Sequence, residues 1–579
     1  MKKTILRRPV PSNVCDIDAI PTFLSRIYNA RGVFKAEDLQ LTLAKLTDSS
    51  KLKGLGDAVK LLVSALQNKQ RIIVVGDFDC DGATSTALAV HALRAMGADD
   101  CQYLVPNRFE FGYGLTPGIV ELAATLKPDL IVTVDNGIAS NEGVQRAKSL
   151  GIKVLVTDHH LPGDQLPDAD AIVNPNQLAC EFPSKNAAGV GVIFYVLSGL
   201  RAALRDISWF ETNAIKEPNL GDYLDLVALG TVADLVPLDK NNRILVEQGL
   251  KRIRAGRCRP GIKAILACAS KKPENIRASD MGFVVGPRLN AAGRLDDMSL
   301  GIECLLAEDE LSANHLAQRL DQLNQERKSI EAEMKLDADS QLKKMDFDAG
   351  QMDWGLCLYE PHWHQGVIGI LASRVKEKFH RPVIVFAPAD DDPSQENPEL
   401  KGSARSITGF HMRDALDVVA KRHPELLSKF GGHAMAAGMS LNKKDLPIFS
   451  QAFDLVVREQ LSKQDLEATL LSDGELLESD LAIDTVTLLE LAGPWGQQFP
   501  EPCFDDTFDL IQTRILKDKH LKLVLAKQGS TQMFDAIQFN SEWVNKALPE
   551  QIRVAYRPNI NEFRGRKSVQ LMIDHIEFV

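Results

Sequence analysis

Carboxylate and imidazole side chains follow several short apolar runs of this chain, at the point where each run ends. One carboxylate in such a place is commonly a helix cap or a turn residue. That explanation fails for a group, because three carboxylates within five residues, in GDFDCDG, repel one another. Further Asp and His residues at neighbouring strand ends would make the region unstable unless cations neutralise it. We therefore predict a metal site among Asp77, Asp79, Asp81, Asp135, Asp158, His159, His160 and Asp234.

The number and type of these side chains indicate which ions the site would hold. Five or more candidate ligands exceed what one catalytic ion needs when water and substrate share its coordination sphere, so we expect two ions. Carboxylates and imidazoles without thiolates suit Mn²⁺ or Mg²⁺ better than a structural Zn²⁺. Cys80 lies inside the acidic run, but neighbouring residues of an extended segment point to opposite sides, so we interpret Cys80 as a packing residue.

The elements that must position these ligands are those of a parallel α/β sheet, because residues 71–160 alternate between β-rich apolar runs and helical segments. The predicted strands are RIIVVGDFD, QYLVP, DLIVTVDNG and KVLVTDHH, and the helix ATSTALAVHALRAMGA follows the first. We place Asp234, in LGTVADLVPL, after an apolar strand in the same way. Ligands collect beyond the carboxyl ends of the strands in such a sheet, so these residues should meet at one edge.

The rest of the chain predicts three further elements. From about Asp309 to Asp339, apolar residues recur at helical spacing without Pro or Gly, which indicates a connecting helix. A second α/β pattern runs from WGLCLYEP to GGHAMAAGMSL. After about residue 465, short alternating runs separated by turn residues favour a small β-barrel.

Composition excludes several classes of protein. With 579 residues and 45% hydrophobic side chains, the chain can bury several cores, so a disordered protein is excluded. No apolar run approaches the roughly 18 residues of a membrane span, and the N-terminus lacks the apolar core of a signal peptide. Nine scattered cysteines favour a reducing cytosol. The net charge of −11 requires any nucleic-acid binding to use local basic surface. The sequence contains no GxxxxGK[ST], which argues against an ATP-driven helicase.

Several motifs resemble a known family. GDFDCDG, VDNG, the Asp158-His159-His160 triplet and TVADLVPL, in that order, look like the four motifs of the DHH phosphoesterase superfamily. GPRLNAAGR, GSARS and GGHAMAAG resemble the additional motifs of the RecJ single-strand-specific exonucleases. The resemblance extends from about residue 50 to residue 440.

The resemblance implies an α/β fold in which a parallel-sheet DHH domain is joined by a long helix to a smaller α/β DHHA1 domain, followed by an OB-like β-barrel. The expected boundaries are an N-terminal extension (1–50), the DHH catalytic domain (51–305), the connecting helix (306–345), the DHHA1 substrate-binding domain (346–464) and the nucleic-acid-binding barrel (465–579).

The resemblance also implies roles for the candidate ligands. It assigns metal coordination to Asp79, Asp81, Asp135, His159 and Asp234, with Asp135 as the best candidate for a bridging ligand. For Asp77 and His160 two roles stay open, either direct ligation or the orientation of a ligand or of the scissile phosphate. Asp158 is expected to have a hydrogen-bonding role. The predicted catalytic residues are Asp79, Asp81, Asp135, His159, His160 and Asp234.

The glycine-rich motifs have two interpretations. GGHAMAAG is either a tight turn leading into a closely packed helix or a phosphate cradle, with a backbone approach at its glycines and a donor on a histidine. In GSARS a hydroxyl and a guanidinium suit phosphate. GPRLNAAGR is either a structural turn or a set of nucleotide contacts. The predicted substrate-binding residues are Arg108, Arg288, Asn290, Arg294, Ser403, Arg405, Gly431, Gly432 and His433. Aromatic residues beside Arg108, namely Phe109, Phe111 and Tyr113, either stack on bases or pack in the core.

Two basic regions could contact a nucleic-acid backbone. Residues 251–263 contain six basic and no acidic side chains, and residues 511–579 contain eleven Lys and Arg against seven Asp and Glu. Either region could instead be a solvated face. An OB-type barrel binds single strands through a basic groove and exposed aromatic residues. The candidate aromatic residues here are Phe534, Phe539, Trp543, Tyr556 and Phe563.

These observations and the resemblance together predict a metal-dependent exodeoxyribonuclease that releases nucleotides from single-stranded DNA. The 5′-to-3′ polarity and a role in DNA repair and recombination are implied by the resemblance alone. We expect a cytoplasmic monomer whose partners are single-stranded DNA, a single-strand-binding protein and a helicase, with no membrane. The alternatives are a phosphodiesterase for short oligonucleotides or cyclic dinucleotides, and a non-catalytic DNA-binding scaffold.

Overall fold

The computed structural model describes residues 3–11, 16–107, 110–344, 353–389 and 397–578. The chain forms two compact units, which we describe separately. The first unit comprises Pro9–Asn324 and Ala482–Pro502, and the second comprises Met1–Arg8, Gln325–Leu481 and Cys503–Val579. In the described part of the chain, no helix combines the length and the apolar character that a membrane span requires.

The strands, in chain order, are β1 (Lys3–Arg7), β2 (Ile72–Val75), β3 (Cys101–Leu104), β4 (Leu130–Val134), β5 (Lys153–Thr157), β6 (Ala171–Val173), β7 (Leu356–Tyr359), β8 (Val383–Pro388), β9 (Glu399–Arg405), β10 (Lys429–Gly432), β11 (Ala436–Asn442), β12 (Ala468–Ser472), β13 (Phe504–Leu516), β14 (His520–Lys527), β15 (Met533–Gln538), β16 (Gln551–Phe563) and β17 (Arg566–Phe578).

The helices are α1 (Thr22–Asn29), α2 (Leu55–Gln67), α3 (Cys80–Ala95), α4 (Pro117–Thr125), α5 (Asn141–Ser149), α6 (Gly189–Asp206), α7 (Trp209–Thr212), α8 (Leu224–Ala233), α9 (Lys240–Arg254), α10 (Pro260–Cys268), α11 (Ala278–Asp280), α12 (Gly286–Leu295), α13 (Ser299–Leu306), α14 (Glu310–Lys344), α15 (Ile368–Phe379), α16 (Met412–Arg422), α17 (Leu446–Gln460) and α18 (Ile483–Leu491). A π-helical turn, Met281–Val285, precedes α12.

A five-stranded parallel sheet forms the centre of the first unit, with the strand order β3-β2-β4-β5-β6. Every residue of β2 and β4 is buried, as expected for a parallel sheet covered by helices on both faces. One face packs against α4 and α5 through a cluster that includes Ile73, Ile131 and Ile119. The predicted α/β fold class is therefore confirmed, and the carboxyl ends of β2, β4 and β5 lie side by side.

The expectation that a strand precedes Asp234 is wrong. The run LDLVALGTVA forms α8, and Asp234 is the residue that ends this helix. Leu224–Thr231 are all buried, so the helix has no solvent-exposed polar face. A short segment of that kind lacks the 3.6-residue periodicity that distinguishes a helix from a buried strand.

The second unit contains a mixed sheet and a barrel. The sheet has the order β10-β11-β9-β8-β7, and β13-β14-β15-β17-β16 close into a barrel, as predicted for the C-terminal region. β1 pairs in parallel with β12, so the N-terminal strand belongs to this unit. The predicted long helix is confirmed as α14, which contributes residues to both units.

The barrel uses part of its aromatic content internally. Phe534 and Tyr556 are buried in its core, so their rings are not available to a strand of DNA. Trp543 packs against Phe578 with ring centroids 4.7 Å apart. Phe539 is exposed over 52% of its surface. The side chain of Phe563 lies outside the described residues.

Candidate active site

The predicted metal ligands meet at the carboxyl edge of the parallel sheet. Three groups of side chains have ligand atoms within 4.8 Å of one another. Asp135 and His159 each belong to two of these groups. The groups are Asp77, Asp79 and Asp135; Asp81, His159 and Asp234; and Asp135, His159 and His160.

The acidic loop after β2 is held by the start of α3. Asp79 is the N-cap of this helix, and its Oδ1 accepts a hydrogen bond from Gly82 N at 3.0 Å. Asp81 is fully buried and accepts hydrogen bonds from the first two amides of α6, Gly189 N at 2.6 Å and Val190 N at 3.0 Å. The positive end of α6 therefore stabilises one carboxylate of the cluster.

Asp135 occupies the centre of the cluster in a strained conformation. Its φ of 62° lies in the left-handed region, which costs an L residue about 1–2 kcal/mol. A Cβ on Gly189 would lie only 2.6 Å from the Asp135 side chain, so a glycine is required there. Asp135 Oδ1 is buried and accepts no hydrogen bond from the described residues. A buried carboxylate oxygen without a donor is typical of a metal ligand.

The two histidines have different surroundings. Nε2 of His159 lies 3.1 Å from Asp135 Oδ1 and 3.4 Å from Asp234 Oδ2. Nδ1 of His160 lies 2.8 Å from Asp158 Oδ1, and the other oxygen of Asp158 accepts a hydrogen bond from Ile138 N at 2.9 Å. Asp158 thus has the expected hydrogen-bonding role, and it orients His160.

The electrostatics of the cluster favour cations. Burial raises the pKa of Asp81, Asp135 and Asp234 above the ordinary carboxyl range, and the neighbouring carboxylates raise it further. Burial alone would also lower the pKa of His160, but its hydrogen bond to Asp158 and the charge of that carboxylate raise the pKa to about 9.

Within the described ranges, no Lys or Arg forms an ion pair with Asp81, Asp135 or Asp234, and the His159 imidazole lies within 3.9 Å of a carboxylate oxygen of each. Oxygen-rich groups that no Lys or Arg of the described residues compensates suit hard divalent ions. The residues present therefore fit the predicted pair of Mn²⁺ or Mg²⁺ ions. The structure brings Asp77 and His160 into these groups as well, so direct ligation by either residue stays a prediction.

A second polar site lies in the second unit, where β9 crosses the start of α15. A Cβ on Gly369 of α15 would lie 3.0 Å from both Arg405 Nη2 and Ser403 Oγ, so these side chains lie directly on the helix. Arg405 donates to Ala404 O at 2.7 Å and to Ser403 Oγ at 3.2 Å. Burial lowers its pKa, and no carboxylate of the described residues pairs with it. We call Ser403, Arg405 and Gly369 the phosphate cradle, because a guanidinium and a helix N-terminus both favour an anion.

The GGHAMAAG motif forms a β-hairpin beside this cradle. Gly431 pairs with Gly438, which in turn pairs with Ser403. Gly432 has a φ of 141°, and a Cβ there would approach Ala436 O to 2.5 Å. His433 N donates to Ala436 O at 2.8 Å across the turn. The expected tight turn is present, but it leads into strand β11 and not into a helix.

The GPRLNAAGR motif lies on α12, against the acidic loop. Arg288 is buried and pairs with Asp321 at 2.8 Å. Oδ1 of Asn290 accepts a hydrogen bond from Cys80 N at 2.7 Å. A Cβ on Gly293 would collide with Phe78 O at 1.9 Å. These contacts hold both side chains within the first unit, and substrate binding by Arg288 or Asn290 stays a prediction. Arg294 lies in the last turn of α12 and is half-buried.

Several remaining predictions concern the aromatic motif and the basic run. Arg108 and Phe109 lie outside the described residues. Phe111 packs against the core cluster of the sheet, whereas Tyr113 lies at the metal-ligand cluster.

In the run 251–263, ion pairs join Lys251 to Glu247, Arg252 to Asp222, and Lys263 to Glu310. That run is therefore largely compensated by acidic neighbours.

The sheet, the acidic cluster and the second α/β lobe define a metal-dependent phosphoesterase of the DHH class. A family model described as the DHH family, N-terminal domain matches residues 71–231, the DHHA1 domain matches residues 355–459, and the RecJ OB domain matches residues 472–575.

Full-length relatives narrow this class. The chain is 52% identical over 575 residues to a protein of Salmonella typhimurium named single-stranded-DNA-specific exonuclease RecJ, covering 99% of this chain and 98% of the relative. It is 51% identical over 581 residues to the protein of that name in Escherichia coli, covering 100% of both. The chain belongs to the RecJ family.

Solved structures agree with the sequence comparison. The crystal structure of RecJ from Thermus thermophilus in complex with Mn²⁺ has a TM-score of 0.80 at 29% identity, covering 100% of this chain and 80% of that one. The structure of the same protein with Mg²⁺ has a TM-score of 0.75 at 27% identity, covering 100% of this chain and 78% of that one.

Proposed function

We propose that the chain is a metal-dependent exonuclease that hydrolyses single-stranded DNA from its end and releases nucleotides. One observation carries the proposal: the cluster places buried carboxylates, including the orphaned Oδ1 of Asp135, together without a compensating Lys or Arg among the described residues. The full-length relatives named as single-stranded-DNA-specific exonucleases support the choice of substrate.

Five residues would hold the two ions, namely Asp79, Asp81, Asp135, His159 and Asp234, with Asp135 as the bridging ligand. Divalent ions bound there would lower the pKa of a water molecule and stabilise the leaving oxygen. Asp158 holds His160 at the rim, where the imidazole can ligate or donate a hydrogen bond to the phosphate that is cut. Asp77, in the acidic loop after β2, can assist by ligating an ion or by orienting one of these ligands.

The phosphate cradle would bind the backbone of the strand. The Arg405 guanidinium matches two phosphate oxygens, and the hydroxyl of Ser403 can donate a further hydrogen bond. The hairpin that carries Gly431, Gly432 and His433 is hydrogen-bonded to β9 and would form the adjacent wall. A nucleic-acid strand suits both sites, because its phosphates can bind divalent cations at one and a guanidinium at the other.

Further parts of the proposal rest on the family. We propose 5′-to-3′ polarity, a role in DNA repair and recombination, and a cytoplasmic monomer that works with a single-strand-binding protein and a helicase. The barrel would also bind the strand, through exposed residues such as Phe539. We also propose that Arg108, Arg288, Asn290 and Arg294 contact the nucleotide or its phosphate, and we keep the division of the chain at residues 50, 305, 345 and 464.

Digestion of end-labelled DNA tests the proposal. A single strand labelled at its 5′ or 3′ end, its blunt duplex and a dinucleotide are incubated with the protein in Mn²⁺ and in chelator. We expect nucleotides to be released from the single strand only, from its 5′ end and only with metal. Asp135→Asn should be inactive. Equal digestion of the duplex, undiminished activity in chelator, or activity on the dinucleotide alone would refute the proposal.

A further inference from the structure

Tyr113 places a hydroxyl inside the metal-ligand cluster and leaves its ring open to solvent. The hydroxyl lies 3.2 Å from the main-chain oxygen of Asp135 and 3.2 Å from Nδ1 of His160. The ring packs edge-on against Phe78, with centroids 6.1 Å apart. Even so, 50% of the residue surface is exposed. The two ends of this side chain therefore have different surroundings.

The backbone around Tyr113 is built to present it. Gly112 and Gly114 flank it, and each has a φ of 75°, a conformation that favours glycine. A hydrogen bond ties the turn to the residue that precedes α5, because Leu115 N donates to Ser140 Oγ at 3.2 Å. Phe111, two residues earlier, is partly buried and packs against the core cluster of the sheet. The segment thus buries one aromatic ring and directs the next toward the site.

The Tyr113 hydroxyl helps to hold the backbone of Asp135 in place. Asp135 is held in the left-handed region by contacts on both sides of its peptide groups. Its N–H donates to Thr157 O at 3.0 Å, and its carbonyl accepts the hydrogen bond from Tyr113. Strained backbone at a functional site persists only where its surroundings fix it. Removing the hydroxyl frees the carbonyl of the residue that would bridge the two ions.

We propose that Tyr113 is a positioning residue with two tasks: its hydroxyl fixes the Asp135 peptide for metal binding, and its exposed ring stacks on a nucleobase of the strand being cut. The second task rests on the proposed function. A nucleobase is the expected occupant because the open ring adjoins the cluster at which a nucleotide phosphate would be cut. Stacking on an aromatic side chain tolerates all four bases and contributes about tenfold or more in affinity per base.

Two variants separate the two tasks. Tyr113→Phe removes the hydroxyl and keeps the ring, whereas Tyr113→Leu removes both. Tyr103→Phe is the matched control, because Tyr103 donates its hydroxyl to Glu303 in the same unit, away from the cluster. Calorimetric titration of the metal-free proteins with Mn²⁺ should show affinity about three- to tenfold weaker in both Tyr113 variants and unchanged in the control. Wild-type affinity in Tyr113→Phe would overturn the positioning task.

Abasic substrates test the ring. On intact single strands, the KM of Tyr113→Leu should be about tenfold higher than that of Tyr113→Phe, because only the former lacks the ring. Strands with one abasic nucleotide at the first, second or third position from the cut end locate the contact. At one of these positions the two variants should have equal KM. A difference that persists on all three strands would overturn the stacking task.

The outcomes also distinguish this inference from the proposed function. If the wild-type protein degrades no strand, the proposed function fails and the stacking task fails with it. The Mn²⁺ titrations do not depend on catalysis, so they decide the role of the hydroxyl in either case.

Discussion

Two acidic runs of this chain each place three aspartates within five residues, yet their surroundings are opposite. Asp77, Asp79 and Asp81 lie in the first unit, and Asp505, Asp506 and Asp509 lie on β13 of the barrel. Asp505 is as buried as Asp135, but it pairs with Arg553 at 2.7 Å and with Arg7 at 3.1 Å. Although burial alone would raise its pKa, hydrogen bonds from Arg7, Ser472 and Arg553 lower it.

The difference lies in geometry and in the available cations. Neighbouring residues of a strand face opposite sides, so Asp506 points away from Asp505 and pairs with Lys527 at 2.9 Å. A loop that enters a helix instead brings its carboxylates together, and no Lys or Arg of the described residues pairs with Asp81 or Asp135. Clustered aspartates in the sequence therefore do not by themselves indicate a metal site, whereas buried carboxylates that no Lys or Arg of the described residues pairs with do.

The largest effect should come from Asp135→Asn. Loss of the proposed bridging ligand should reduce the rate on single-stranded DNA at least about a thousandfold, or about 4 kcal/mol in the barrier. The same change removes a buried, uncompensated charge, so the metal-free variant should be more stable than the wild type. Initial rates and thermal melts in chelator measure both effects. Asp509→Asn, in the compensated run, is the control, and a variant that keeps a tenth of the activity would contradict the account.

Arg405→Gln tests the converse case, a half-buried cation that pairs with no carboxylate of the described residues. Because the proposed partner of this guanidinium is a phosphate of the strand, we expect a KM about thirtyfold higher, or about 2 kcal/mol, with kcat changed less than about threefold. Steady-state kinetics on single strands provide the measurement. Arg422→Gln is the matched control, since Arg422 pairs with Glu459 on the surface of the same unit. An unchanged KM in Arg405→Gln would show that the phosphate cradle does not bind the substrate.

Asp505→Asn should act on stability alone. It leaves Arg553 and Arg7 without their shared carboxylate, and both guanidiniums are partly exposed, so the free energy of unfolding should fall by about 2 kcal/mol. Denaturant unfolding measures this change, and Mn²⁺ affinity should stay at the wild-type value. If Asp505→Asn instead stabilised the protein, as we expect of Asp135→Asn, the two acidic runs would not differ in the way described.

The smallest effect concerns pH. The pKa values of Asp81, Asp135 and Asp234 are raised in the folded, metal-free protein, so it binds protons that the unfolded chain has released. Their contribution is complete below the unfolded value of about 4 and is lost as pH rises through the folded values. The metal-free protein should therefore lose stability from about pH 5 to pH 8, by about 1 kcal/mol or more. The difference between the melting temperatures with and without Mn²⁺ should grow as the pH rises. A difference that stays the same at every pH would contradict this expectation.

Much of the site could be predicted from the sequence, because apolar runs that end in Asp and His locate the carboxyl edge of a parallel sheet. The element before Asp234 was predicted wrongly, because the sequence of a short helix that is buried on all sides resembles that of a buried strand. The partners of Arg288 and Asn290, namely Asp321 and the Cys80 amide, could not be predicted, because they are distant in sequence. A similar acidic run occurs at Asp505, where only the fold shows that arginines neutralise it.

Calorimetric titration of the metal-free protein with Mn²⁺ measures directly whether the buried acidic cluster holds two ions. We expect two ions per wild-type chain, two ions of unchanged affinity in Asp505→Asn, and loss of at least one ion in Asp135→Asn. Absence of Mn²⁺ binding to the wild type, or the same isotherm for Asp135→Asn, would contradict this expectation.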